Sequence, residues 1–599
     1  MKKLKLSKLA SLLLASALTL TACNNGQTSS SSSDSGSGNA TDKTTVESTT
    51  ESTTEATTEA TEEVDLSEYK DLESTFDPEQ NVPNTDVKLP LTNEPVTYTA
   101  MISYALGVKE PNDMALYKKR AEETGVNIDF DWVLDSAKAE RLATTLASGD
   151  LPDIFVNMGI SMDQLGSYGD DAGLFLDITD YSKNENLMPN LKWIFEQHPE
   201  AFSASTSYAG KLYGVPRINN FSVWPGDGVY IRDTQIINAK WLDQLGLDMP
   251  ETIDDFVEVL TAFKNDDPNG NGEQDEIPLS FNYNSTWTGS PESTLFGPFG
   301  FIGNGAKLNI VDGQVIYGIQ HENYIQAIQY INKLWSNGLI DPEAFTHDGD
   351  RYVAKGQSET PVYGVAIEWT GTEVVGDRVA IEMDDTHEYV PLPPLKGSNG
   401  ERLWRNELSG LSRNKAIFSA DVENPELLMR YFDYLYTPDN SIQETYGMFD
   451  RQTYKVKEGL WAASQLPKDW TWEEWLRESS TREMPYYVGS NMAENKYNEK
   501  GEGKEGNFKY KLSSIFAPYA QDLKDVYTGY ENRTPEESEI VERLEPQIKN
   551  AIIEQEVKWI MGDGDVAAEY DAFIKSLEEL GLSELLQQYQ GARDRYTGK

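Results

Sequence analysis

Five oxygen-bearing side chains recur at short spacing in one acidic stretch: Asp267, Asn269, Asn271, Asp275 and Glu276, at relative positions 1, 3, 5, 9 and 10. Calcium takes about six to eight oxygen ligands, and alternate positions of a tight loop can aim side chains at one ion. The backbone carbonyl of Glu273, at position 7, adds a further oxygen, and Gly270 at position 6 permits the sharp turn, as in an EF-hand loop. An EF-hand places a bidentate glutamate at position 12, where this chain has Pro278, so Glu276 has to supply that carboxylate. An ion held this way leaves no group over for substrate. The chemistry expected is a structural calcium that clips a loop; the competing reading is an Asx-rich turn that holds only water.

A second set of residues suits a different chemistry. Sugars present apolar C–H faces and many hydroxyls, so a sugar site needs flat aromatics beside forked polar side chains. Arg217, Asn219, Trp224, Asp227 and Tyr230 lie in "RINNFSVWPGDGVYIR"; Asn282, Tyr283 and Trp287 in "FNYNSTWTG"; Glu368 and Trp369 in "AIEWTGTE"; Trp404, Arg405 and Asn406 in "LWRNELSG". Tyr104 and Asn157 stand at the ends of two predicted strands. Any one of these Trp residues competes with a reading as core. Trp470, Trp472 and Trp475 of "DWTWEEW" open an amphipathic helix, where packing is expected. A glycoside hydrolase would need two acids about 5–10 Å apart, and Glu368 beside Trp369 is the pair member to watch.

Composition narrows the classes. The formal net charge of −48 argues against nucleic acid, which is bound through Lys and Arg. Cys23 is the single cysteine, so neither an internal disulfide nor a cysteine metal site is available. The four histidines (His198, His321, His347, His387) are scattered and no HExxH occurs, which speaks against a zinc hydrolase. No phosphate-binding GxxxxGK[ST] loop is present; "GEGKEG" at 501–506 lacks the spacing.

The elements that must position these residues read as an α/β fold of two lobes with a helix-rich carboxyl-terminal part. "VTYTAMISYAL" alternates as a strand, "NDMALYKKRAEETG" as a helix with a glycine stop, and "VNIDFDWV" as a second strand. A helix and a buried strand follow through "SGDLPDIFVNM", giving a βαβαβ order and an open sheet. Thr252 and Asp255 form a capping box for a helix with Phe256, Val259, Leu260 and Phe263 on one face. The expected lobes are 95–220 with 360–420, and 221–359 with 421–599, within a binding domain of 89–599.

The amino terminus carries its own message. Basic residues, an apolar run Leu9–Leu20 and "LTAC" describe a secretory signal over residues 1–22 with Cys23 at a lipobox. A diacylglyceryl group on Cys23 supplies two chains, enough for a stable membrane anchor. Residues 23–88, rich in Ser, Thr and Glu, read as a disordered tether.

In their order, the lipobox, "SGDLPDIF" (148–155), "GKLYGVPR" (210–217), "YIRDTQIINAKWLDQLG" (230–246) and "DPNGNGEQDEIPL" (267–279) resemble bacterial extracellular solute-binding proteins of family 1, the alginate-binding group among them. The resemblance spans roughly 95–590. It implies two α/β lobes closing on a ligand, a calcium bound by Asp267, Asn269, Asn271, Glu273 (through its carbonyl), Asp275 and Glu276, and delivery to an ABC permease. The function so expected is oligosaccharide capture by a monomer lipid-anchored on the outer face of a bacterial, Gram-positive membrane. Alternatives are a peptide-binding importer component, a glycan-binding surface lipoprotein and a surface glycoside hydrolase.

Overall fold

The computed structural model describes residues 87–104, 109–219, 229–283, 289–369, 371–382, 386–407, 410–498 and 508–598, with single positions at 72, 74, 76, 83 and 384. The signal segment, Cys23 and the tether lie almost wholly outside the described residues. From position 72 onward everything described except 143–150 belongs to one compact unit. Residues 143–150 carry the end of the helix Lys138–Ser148 and the turn at Gly149, whose φ is +73°. No helix among the described residues is long and apolar enough to cross a membrane.

The expected βαβαβ order is present. Strand Val96–Tyr104 pairs in parallel with Val126–Leu134 on one side and with Ile154–Val156 on the other. The helix Ala115–Thr124 stops where Gly125 turns to φ +76°. A Cβ there would lie 2.4 Å from the carbonyl oxygen of Thr92, so glycine is required on both counts. Val126–Leu134 alternates buried and exposed positions, as an edge strand with one wet face should. The full sheet has six strands: Tyr487–Val488, Gly214–Asn219, Leu411–Phe418, Ile154–Val156, Val96–Tyr104 and Val126–Leu134, in that order. Leu411–Phe418 runs antiparallel to both neighbours.

A second sheet orders Tyr389–Pro391, Thr234–Asn238, Tyr363–Glu368 and Ile277–Ser280. The capping box forms as read: the Thr252 hydroxyl accepts from Asp255 N, and the Asp255 carboxylate accepts from Thr252 N. It opens the helix Ile253–Asn265, which buries Phe256, Val259, Leu260 and Phe263 against this sheet's core. Each such side chain contributes roughly 1.5–3 kcal/mol by leaving water. Three carboxyl-terminal helices, Pro535–Met561, Val566–Glu579 and Leu582–Thr597, complete the same core through Ile548, Ile552, Trp559 and Leu585.

The lobe boundaries read from the sequence need redrawing. Tyr363–Glu368 pairs with Thr234–Asn238 and Ile277–Ser280, so it belongs to the second sheet rather than the first. Conversely, the helices Pro425–Leu435 and Pro438–Tyr446 bury Leu428, Phe432 and Ile442 with Leu191 and Ile194 in the first sheet's core. Both segments are apolar enough to serve either sheet. Strand pairing for the first and helix packing for the second, neither with a signature in the local pattern, made the choice. Among the three Trp of the "DWTWEEW" helix start, Trp470 packs edge-on against Trp475 at 5.6 Å, while Trp472 is 37% exposed.

Strand directions gather the chain crossings at one edge of each sheet. In the first, the carboxyl ends at Tyr104, Val156 and Asn219 lie with the amino end at Leu411. In the second, Thr234 sits opposite Glu368 and Ser280 opposite Ala366. The chain leaves the first sheet at Asn219 to enter the second at Thr234, and returns to the first at Leu411.

Candidate functional site

The first sheet's edge is a topological switch point. From Val96–Tyr104 the chain goes next to one neighbour and then to the other, and open α/β sheets bind ligands in the crevice beyond such a point. Asn157 occupies it in the left-handed region, φ +55°. Its Nδ2 donates to the carbonyl of Ser103 at 2.8 Å, and its Oδ1 accepts from Lys415 Nζ at 2.7 Å. Lys415 also pairs with Glu483 at 2.5 Å, and Arg217 lies 3.5 Å from the same carboxylate. Burial pulls the Lys415 ammonium down to about 8, against the pull of Glu483. Arg217 donates to Ser412 Oγ and its guanidinium stands 5.6 Å from the Tyr486 ring, whose hydroxyl accepts from Asn219 Nδ2 at 3.1 Å. Asn157, Arg217 and Asn219 thus come together, through Lys415, Glu483 and Tyr486, which the sequence did not flag. These three come from segments nearly 200 residues or more away from their partners in the chain, and nothing local marks them. Tyr104 is 2% exposed, donates to the Lys109 carbonyl at 2.8 Å and packs edge-on against Trp132.

At the second sheet's edge, Asn406 Oδ1 accepts from Tyr230 N at 2.8 Å and its Nδ2 donates to the Gln521 carbonyl at 2.9 Å. Arg405 pairs with Glu292 at 2.8 Å and with Glu407, and stands 3.6 Å from Asp233. Arg232 lies 3.6 Å from Glu407, and Lys307 lies 3.1 Å from Glu292. Arg232, Glu292, Lys307, Arg405, Asn406 and Glu407 line a cavity of about 360 Å³ together with Tyr527 and Tyr530. Burial raises the Asp233 carboxyl to about 7, with Arg405 and Arg232 pulling the other way. Lys509 Nζ donates to the carbonyls of Arg232 and Trp369, tying the turn before strand Thr234–Asn238 to the turn after Tyr363–Glu368. Glu368 is fully buried, accepts from Val374 N at 3.0 Å, and burial raises its carboxyl to about 7. Trp404 is 1% exposed: its Nε1 donates to the Asp233 carbonyl at 2.8 Å and its ring packs 4.6 Å from Phe516, so its surface is spent on the core. Trp224, Asp227 and Trp287 lie outside the described residues.

The acidic loop joins the helix Ile253–Asn265 to the strand Ile277–Ser280. Asp267, Gly270 and Gly272 all adopt positive φ, which coils the loop on itself. The Asp267 carboxylate accepts from Gly272 N at 3.0 Å, and Asn271 Oδ1 accepts from Glu273 N at 2.7 Å. Asp275 gathers the amide groups of Asn269 and Asn271 at 2.9 and 3.1 Å. Asp267 Oδ1 and both oxygens of Glu276 are buried with no well-formed hydrogen bond; only the backbone N–H groups of Glu276 and Asn269 reach the Glu276 carboxylate. Burial pushes the Glu276 carboxyl up, with a smaller push from the Asp275 and Asp267 charges, against the backbone N–H groups of Glu276 and Asn269 that hold it down. Among the described residues no three His, Cys, Asp or Glu side chains converge as a compact metal cluster. The donor set here is instead a mixture of carboxylate and amide oxygens strung along one turn. Orphaned buried carboxylate oxygens in an oxygen-rich loop fit a hard cation.

A family profile described as "Bacterial extracellular solute-binding protein" matches residues 109–442. The fructooligosaccharide ABC transporter substrate-binding protein FusA of Streptococcus pneumoniae is 31% identical over 526 residues, covering 85% of this chain and 92% of that protein. The solved structure of FusA with kestose matches with a TM-score of 0.68 at 30% identity, covering 84% of this chain and 100% of that one. The structure of a FusA EF-hand mutant with fructo-nystose gives 0.67 at 29%, with the same coverage. The alginate-binding protein AlgQ2, solved without calcium ion, shares the fold, with a TM-score of 0.59 at 20% identity over 84% of this chain and 99% of that one.

Proposed function

Since the chain belongs to the bacterial extracellular solute-binding protein family, we propose that it captures oligosaccharides for an ABC importer, using the two sheet edges where the chain crosses as its ligand-binding surfaces. The observation that carries this reading is the polar cluster at the switch point. Asn157, Arg217 and Asn219 stand there on rigid strand ends, held by Lys415, Glu483 and Tyr486. Forked amide and guanidinium groups so placed pair with vicinal hydroxyls. Tyr230, Arg405 and Asn406 provide the corresponding groups at the second edge, and Trp369 the aromatic face, with Trp224, Asp227 and Trp287 as further contacts. Tyr104, Glu368 and Trp404 belong to the core, their polar groups bonded to the Lys109 carbonyl, Val374 N and the Asp233 carbonyl.

The mechanism is capture. A closed arrangement of the two halves is favoured only by the contacts the ligand adds to it, so ligand shifts the population toward closure. The acidic loop holds calcium through Asp267, Asn269, Asn271, the Glu273 carbonyl, Asp275 and Glu276. The ion supplies charge neutralisation and rigidity to one loop of the second half. Cys23 carries the lipid that anchors a monomer to the outer membrane face, and the permease takes the ligand from there. Calorimetry with fructooligosaccharides and other oligosaccharides tests the reading. Micromolar or tighter binding to an oligosaccharide supports it; tight binding to peptides with none to any sugar refutes it.

A further inference from the structure

Next to the cavity beside Arg405 and Asn406 lies a larger one, of about 950 Å³. The two share a wall, since Asp525 and Thr528 line both. A hairpin runs along both as well: Leu308 and Asn309 line the smaller cavity, and Ile310 and Asp312 the larger. From Leu308 to Asp312 an extended chain covers about 13 Å. The walls of the larger cavity are tied to one another. Helix Leu582–Thr597 supplies Tyr596 and Asp594. Gln590 of that helix accepts from Val315 N at 2.8 Å and donates to the Gly313 carbonyl at 3.3 Å, which fixes the hairpin. Buried Glu531 accepts from Arg593 at 2.7 Å and from Thr528 N and Oγ1 at 3.1 and 2.9 Å, which fixes the segment that both cavities share. Half-buried Tyr596 brings its hydroxyl to Thr528, with the Arg593 guanidinium 5.7 Å from its ring. The remaining side comes from the first half: Glu200, joined through His198 to Tyr487 of the first sheet at 3.2 and 3.1 Å.

Ligand pockets run from about 300 to 1,000 Å³. The smaller cavity is near the bottom of that range and suits a short oligosaccharide; the larger is near the top and has room for its continuation. Its chemistry fits too. Tyr596 offers a flat ring with Ile310 and Leu523 as apolar neighbours, and Thr528, Asp594 and Glu200 offer oxygens to sugar hydroxyls. We propose that the larger cavity is a distal subsite with Tyr596 as its aromatic platform, so that the protein prefers oligosaccharides long enough to pass from the smaller cavity along Leu308–Asp312 into it. This rests on the sugar-capture reading above. A long ligand then touches Glu200 of the first half and Tyr596 of the second, and each contact made only in the closed arrangement favours closure.

The test is calorimetry on the full-length chain with ladders of fructo-, malto- and galacto-oligosaccharides, from disaccharide to hexasaccharide. In a series that binds, affinity should rise about tenfold or more from trisaccharide to pentasaccharide. Tyr596→Ala should remove that rise and leave the trisaccharide affinity unchanged, whereas Tyr596→Phe, which keeps the ring, should keep the rise. Thr597→Trp, which fills the cavity from an exposed position at the helix end, should also remove it; if Tyr596→Ala does not fold, this variant decides. Equal wild-type affinity from trisaccharide upward overturns the inference and leaves sugar capture standing. A folded Tyr596→Ala that loses the same factor at every length, or loses nothing, does so as well. A wild-type chain that binds no sugar of any length sinks the sugar-capture reading, and this inference with it.

Discussion

Chelation should loosen the second half of the molecule by an amount the acidic loop sets. Asp267 and Glu276 place three carboxylate oxygens out of water without a well-formed hydrogen bond. An unsatisfied buried polar group costs about 1–3 kcal/mol, so these two carboxyl groups leave about 2–6 kcal/mol for an ion to recover. Calcium at about a hundred times its Kd stabilises by about 2.7 kcal/mol, inside that range. Spread over a lobe of ordinary size, this is about 5–10 °C in melting temperature. The assay is a thermal melt in excess calcium and in excess chelator, for wild type and Glu276→Gln. The variant should melt alike in both. Magnesium should substitute poorly, because it demands a compact octahedral shell. The pH dependence has a definite sign. Without the ion, a Glu276 carboxyl raised by burial costs stability as pH rises from its unfolded value through its raised folded one. Calcium requires the ionised form, so its benefit is greatest at neutral pH and closes below about pH 4.5. Superimposable wild-type melts with and without chelator at neutral pH would falsify the ion site.

Arg120→Met should cost about 3–5 kcal/mol in urea unfolding, since it strands Glu444: the two side chains are almost fully buried and 2.8 Å apart, with Arg120 also donating to Asn440. A loss under 1 kcal/mol would mean water reaches that pair. Two tryptophans should behave oppositely. Trp404→Ala should cost about 3–5 kcal/mol of stability while leaving the affinity of the folded fraction unchanged. Trp369→Ala should cost at least about 2 kcal/mol of binding with little change in melting; the reverse pattern would exchange their roles.

The acidic loop shows how far local pattern reaches. Asp267 to Glu276 could be read as a coiled, oxygen-rich turn because its glycines and Asx residues act within ten positions, and that is the conformation found. The capping box at Thr252 and the glycine stop at Gly125 were legible for the same reason. Trp404 marks the limit. Beside Arg405 and Asn406 it looked like a ligand aromatic, yet its neighbours proved to be Phe516 and the Asp233 carbonyl, more than a hundred residues away in each direction.

By itself, then, the sequence determined the α/β alternation, the coiled acidic loop with its run of oxygen donors, and a strongly negative net charge. Each rests on interactions spanning a few residues or on composition summed over the chain. The tertiary structure decided which apolar strand joined which sheet. It also decided which candidate side chains were spent on the core, and that Lys415, Arg217 and Arg477 should meet at Glu483. Those outcomes depend on strand order and long-range burial. Two segments of equal hydrophobicity can satisfy either sheet locally, and only the complete set of pairings distinguishes them.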